Sequence, residues 1–246
     1  MMKKTALVLL ALSFSTSAIA HQDVHEGHIV SDKKDGISPT FDIVHAKVVK
    51  NGTSLTFQTA VVGEAGKEKP ESVGQLAGSE VYSYVWPTAL NSADIGFDKD
   101  KGVVALAVTA HPDFDDTPRY DENRDGDNAN DGNVWHSHWV VLTEDKLCPG
   151  GLKVRDIPKG ASPTVPLTWP ELPIYIDSPG YEPHFAKTEL TVDVPTKDIQ
   201  FKDNFNFDAV TAVLKVNDSV HNPLLCVTGV DDIASGDLSL PGVVKR

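Results

Sequence analysis

Apolar and polar residues alternate with a period of two along most of this chain. Residues 42–49 (DIVHAKVV) alternate, Lys50-Asn51-Gly52-Thr53 supplies a turn, and residues 54–62 (SLTFQTAVV) alternate again. Asn-Gly tolerates the positive φ angles of a tight turn, so the pair reads as a β-hairpin. Residues 80–86, 103–110 and 134–143 read as further strands, as do 172–176, 188–194, 210–216 and 224–230. No long segment carries apolar residues at helical spacing, and the sixteen prolines, clustered at 158–173 and 179–183, argue against long helices. The expectation is an all-β antiparallel sandwich, one domain over residues 39–246 with long loops, and one or two short helices near 71–77. Residues 21–38 are polar and predict a loosely ordered, histidine-containing N-terminal segment.

The first twenty residues depart from this pattern. Lys3 and Lys4 precede the apolar run Ala6–Leu12, and Ala18-Ile19-Ala20 forms a small-residue cleavage box. This predicts a cleavable secretory signal over residues 1–20, a mature chain starting near His21, and a periplasmic or secreted location. The run is too short to span a bilayer, which takes about 20 apolar residues, and no later stretch reads as a transmembrane anchor. The formal charge of −13 disfavours nucleic acid and anionic membranes as partners and favours cations. A protein partner is not legible. Cys148 and Cys226 are the only thiols. In an oxidising compartment they predict a single disulfide.

Candidate chemistry concentrates in residues 111–139, HPDFDDTPRYDENRDGDNANDGNVWHSHW. Asp121, Asn123, Asp125 and Asp127 place oxygen ligands at alternate positions, with Gly126 permitting a sharp turn, as a calcium loop requires. Where such a loop ends in a bidentate Glu this chain has Gly132, so Asp131, or Asp113, Asp115 or Asp116 from outside, would complete the shell. Seven aspartates between Asp113 and Asp131 repel one another unless something positive offsets them. A solvated turn-rich loop is the alternative.

Period two also puts His136 and His138 on one face of strand 134–143, with Trp135 and Trp139 on the other. His111 follows strand 103–110. If these strands pair around the acidic loop, His111, His136 and His138 gather at its base as a copper or zinc site. A second constellation is His21, His25 and His28, since an N-terminal His can chelate copper through its α-amine and imidazole. His45, His184 and His221 read as structural. Nucleophile-elbow, H-E-x-x-H, phosphate-loop and dinucleotide signatures are missing.

Three resemblances follow from these residues. The Asp121–Asp131 run resembles the calcium loops of dockerins and thrombospondin type 3 repeats. The placement of His21 resembles the histidine brace of copper monooxygenases and some periplasmic copper carriers. WHSHW among acidic loops resembles the secreted copper-binding proteins of the MopE and CorA kind, which implies His136 and His138 as copper ligands. The functional expectation is an exported metal-binding protein with a structural calcium loop and a histidine copper (or zinc) site, in a carrier or sequestration role. The alternatives are a copper oxidase or monooxygenase built on His21, and a calcium-stabilised carbohydrate-binding or adhesion module that stacks sugars on Tyr82, Tyr84, Trp86 and Trp169.

Overall fold

Alternation produces strands wherever it runs long enough to bury one face. In the computed structural model, which describes residues 27–116, 119–219, 221 and 223–245, the hairpin forms as β2 (Ile43–Asn51) and β3 (Ser54–Val61), with Gly52 at φ 59° in its turn. β1 (Ile29–Val30) pairs with β2, and β10 (Glu189–Pro195) pairs with β3 and with β9 (Pro183–Ala186). These five strands make one antiparallel sheet, in the order β1-β2-β3-β10-β9.

The second sheet contains β4 (Glu80–Thr88), β5 (Val103–Ala110), β6 (His136–Glu144), β7 (Leu152–Val154), β8 (Ile176–Asp177), β11 (Asn206–Phe207), β12 (Val210–Val216), β13 (Leu225–Ile233) and β14 (Gly242–Val243). The protein is all-β, as expected. What the alternation does not announce is closure. β12 pairs with β13 on one side and with β4 on the other, so β4-β5-β6-β7-β13-β12 returns on itself as a barrel-like ring. β8 pairs with β6 and extends the wall.

Ring closure creates two interiors. Tyr84 and Trp86 of β4, Leu106 and Val108 of β5, and Trp139 and Val141 of β6 face the five-stranded sheet and meet Phe57, Val48 and Leu190 there. Residues of opposite parity, among them Val81, Val85, Ala107, Val140 and Ala212, face the inside of the ring. The Cys148–Cys226 disulfide forms, joining residues 78 apart and tying the turn after β6 to β13.

Three expectations change. Residues 71–77 are not helical; Asp113 accepts the N–H groups of Val73 and Gly74 and the hydroxyl of Ser72, so these donors are taken out of any helical ladder. Short 3-10 turns occur instead at Ser92–Ile95, Asp131–Asn133 and Thr196–Ile199. Of the strand expected over 172–176 only Ile176 is strand, because Pro173 cannot donate to a ladder. The N-terminal segment is docked from Gly27 onward, with Ile29 fully buried and paired with Ala46. Residues 1–20, His21 and His25 lie outside the described residues. No helix among the described residues is long and apolar enough to cross a membrane.

Candidate metal centre

Strand register brings the histidines together. β4, β5 and β6 align Ser83 with Thr109 and Thr109 with His136, while Ala107 aligns with His138. His111, directly after the strand, continues the parity of Ala107 and Thr109. The predicted trio therefore converges at one end of the ring, with His111, His136 and His138 each 1% exposed.

The fourth member is Asp116, which sequence reasoning placed only as a spare calcium ligand. It too is buried, at 7% exposure, and its carboxylate faces all three imidazoles. Asp116 Oδ1 lies 3.2 Å from His111 Nε2 and 3.4 Å from His136 Nε2, and Oδ2 lies 3.3 Å from His138 Nε2. His111 Nε2 and His136 Nε2 are 3.1 Å apart. The four ligand atoms all fall within 4.8 Å of one another.

The outward ring nitrogens decide the tautomers. His111 Nδ1 lies 2.9 Å from the Phe114 carbonyl, His136 Nδ1 2.6 Å from that of Val134, and His138 Nδ1 3.3 Å from that of Asp177 and 3.1 Å from Ser178 Oγ. A carbonyl only accepts, so each Nδ1 carries a proton, and each ring in its neutral form turns its Nε2 lone pair inward. Three lone pairs and a carboxylate then face one point, and neither His138 Nε2 nor Asp116 Oδ1 has a hydrogen-bond partner. Burying such acceptors together is costly unless a cation sits among them.

The spacing fits one. Tetrahedral bonds of about 2.0–2.1 Å put ligand atoms about 3.3 Å apart; the contacts above run from 3.1 to 3.4 Å, while the set as a whole spreads to 4.8 Å, a gathering around one point that is not a regular tetrahedron. Three imidazoles and a carboxylate suit borderline transition metals; calcium, which takes six to eight oxygens, does not match this set. Hydrogen-bonding the outer nitrogens to backbone fixes ring orientation, as bound histidine ligands require.

Electrostatics reports the same demand for positive charge. Burial works against charge on Asp116, yet His138, His111 and His136 hold its carboxyl well below the usual carboxylate range. Burial pushes the His138 imidazole down to about 4, with Asp116 opposing. His136 is raised instead: burial works against its charged form, but the Asp116 carboxylate and the Val134 carbonyl outweigh it.

The loop residues serve this cluster locally. Gly132 packs so closely on the turn after His111 that an added Cβ would overlap the Phe114 carbonyl oxygen, the acceptor that orients His111. This close approach is why the position where a calcium loop places Glu holds Gly. The Phe114 ring stacks on His111, centroids 4.0 Å apart. Asp131 is fully buried and accepts the N–H groups of Glu122 and Asn123, while Asp115 accepts that of Asp131. Asp121, half-buried, and the exposed Asp125 and Asp127 accept N–H groups within their own turn, and Asn123 Oδ1 accepts from Asp125. Backbone dipoles thus offset much of the repulsion that the aspartate density implies. Among the described residues, His111, Asp116, His136 and His138 are the one set of three or more His, Cys, Asp or Glu groups gathered closely enough to share an ion.

Other predicted residues fall elsewhere. His28 lies beside His45, Nδ1 to Nε2 3.3 Å, away from the cluster residues and on the five-stranded sheet. Tyr84 and Trp86 are 1% and 0% exposed, so they are core residues and not a sugar-stacking platform. Comparison with protein-family models, with curated proteins and with solved structures finds no match.

Proposed function

We propose that this protein is an exported metal-binding protein that holds one transition-metal ion, zinc or copper, on His111, His136, His138 and Asp116. The observation that carries the reading is the convergence of three buried Nε2 atoms and a carboxylate on one point, with His138 Nε2 and Asp116 Oδ1 lacking hydrogen-bond partners. Four protein ligands hold an ion firmly, which favours a binding role. Imidazole and carboxylate donors suit zinc and copper alike, and Cu(II) outcompetes zinc in raw affinity. Export is supported by the leader at residues 1–20 and by the disulfide. Calcium in the acidic loop is a separate part of the proposal, supported by the alternate spacing of Asp121, Asn123, Asp125 and Asp127 with Asp131 behind them.

Elemental analysis of protein purified from its native compartment, with metal titration of the processed chain, tests both ions. We expect one zinc or copper per chain. His136→Ala, His138→Ala and Asp116→Asn should each weaken binding by more than the roughly 10–100-fold that losing an outer-shell partner costs, and His221→Ala should leave it unchanged. Calcium should copurify and be lost in Asp125→Ala. Transition-metal binding that survives His136→Ala/His138→Ala but disappears on removing residues 21–28 would assign the ion to the N-terminus and overturn the cluster. Calcium-free protein that takes up none on titration would remove the loop from the proposal.

A further inference from the structure

The histidine cluster closes one end of a larger space. Inside the ring lies a cavity of about 410 Å³ whose wall includes His111, Asp116 and His138, a size within the roughly 300–1,000 Å³ of small-molecule sites. Its wall is otherwise almost wholly aliphatic, with Val81, Val85, Val140, Ile176, Leu214 and Val227 among the lining residues. The space exists because small side chains, Ser83, Ala107 and Ala212, stand where larger ones would fill the ring.

Polarity is confined to the metal end. Ser83 and Thr109 are register partners of each other and, through Thr109, of His136. Ser83 Oγ already donates to the Ala212 carbonyl, leaving Thr109, His111, Asp115, Asp116 and His138 as the polar terminus. Leu76, Val103, Val230 and Leu238 line the same space and are each 39–49% exposed, so an apolar rim reaches solvent.

We propose that the ring takes up a small amphiphile, an aliphatic chain bearing one oxygen-donor head such as a carboxylate, with the chain in the cavity and the head on the metal ion. This rests on the metal reading above. The wall excludes a polar body, since a buried polar group without a partner is costly. The single polar end selects a single head. Asp116, and Asp115 which also lines the space, would repel an anionic head, but a divalent ion on three neutral imidazoles offsets both carboxylates, and zinc expands to five ligands in some sites. Head and metal therefore bind cooperatively.

Titration calorimetry with decanoate and 1-decanol, on zinc-loaded and chelator-treated full-length mature protein, tests this. Zinc-loaded protein should bind one decanoate per chain, at least tenfold more tightly than chelator-treated protein. Decanol, which lacks the anionic head, should show less than threefold dependence on zinc. Ala107→Leu and, as a second filling variant in case the first does not fold, Val85→Phe should bind zinc normally and lose decanoate at least tenfold. Decanoate binding indifferent to zinc, or unaffected in both folded filling variants, would overturn the proposal, as would no binding at all. Should the protein take up no zinc, the metal reading and the head contact fail together. Decanol binding lost on cavity filling would then preserve the ring interior alone as a ligand site, whereas no decanol binding would remove that too.

Discussion

The interlayer core and the ring interior are built from alternate residues of the same strands, yet they are packed differently. The interlayer side of β4, β5 and β6 receives Tyr84, Trp86, Leu106 and Trp139, and Phe57 from the facing sheet meets Trp86, Trp139 and Phe205 with ring centroids 5.9, 6.1 and 6.3 Å apart. The ring side of those segments receives Ser83, Val85, Ala107, His138 and Val140. One interior is filled with large aromatics, while the other keeps a cavity of about 410 Å³. Close packing stabilises a domain, and unfilled apolar volume forgoes that stabilisation. On the reading proposed above, a protein that leaves one of two interiors open and places its buried histidine–aspartate cluster at the end of it separates holding the fold together from holding a ligand. Asp116 and the histidines sit on the open side for that reason; the aromatics on the closed side keep their backbones still.

Truncation on the two sides gives the largest contrast. Phe57→Ala should cost about 3–5 kcal/mol, because its neighbours are bulky rings that cannot collapse into the space. Val85→Ala enlarges a cavity that already exists and should cost about 1.5 kcal/mol, the transfer of the two removed carbons. Chemical denaturation midpoints at unchanged m-value would measure both. Similar losses from the two variants would mean that the ring interior is packed as tightly as the core, and the comparison would fail.

The disulfide sharpens the same point, since Cys148–Cys226 ties the ring and not the five-stranded sheet. Its reduction should destabilise the mature protein by about 2–5 kcal/mol. Amide exchange should accelerate first in β6, β7 and β13, with the β2–β3 hairpin still protected. Equal acceleration in β2 and β3 would show that the two regions do not differ in what holds them.

Much of this was legible in the chain, and the gaps have physical causes. Period two located β2 to β6, β10, β12 and β13 because each buries at least one face, and it put His136 opposite Trp135 and Trp139 correctly. It could not show that β12 returns to β4, a pairing across more than a hundred residues that no local pattern encodes. A hint was present in residues 103–110, VVALAVTA, apolar on both faces and so buried on both faces. Asp116 was unreadable for another reason. It lies in a run without periodicity among Asp113 and Asp115, and only the loop path separates three neighbouring carboxylates into a tether for residues 72–79, an acceptor for Asp131 and a partner for three imidazoles.

The smallest expected effect tests whether the ring wall itself has been compromised for its site. Asp177 of β8 offers its backbone carbonyl to His138 Nδ1, while its side chain, 4% exposed, accepts a hydrogen bond from Thr168 Oγ1 at 2.6 Å. Burial pushes this carboxyl up to about 6, against the ordinary Asp value of about 3.9 in the unfolded chain. The folded state therefore holds a proton between those values that the unfolded state has released. The resulting penalty is full above pH 6 and is relieved as pH falls from about 6 to about 4. Asp177→Asn keeps an acceptor for Thr168 and leaves the backbone carbonyl in place, so metal affinity should not change. Stability should rise by about 1–3 kcal/mol at pH 8, roughly two pKa units at 1.36 kcal/mol each as an upper bound, and the gain should vanish by about pH 4. Denaturation of both proteins across that range measures it. A difference independent of pH would mean that Asp177 is not strained by its burial, and that the wall beside the cluster is as well adapted as the aromatic core.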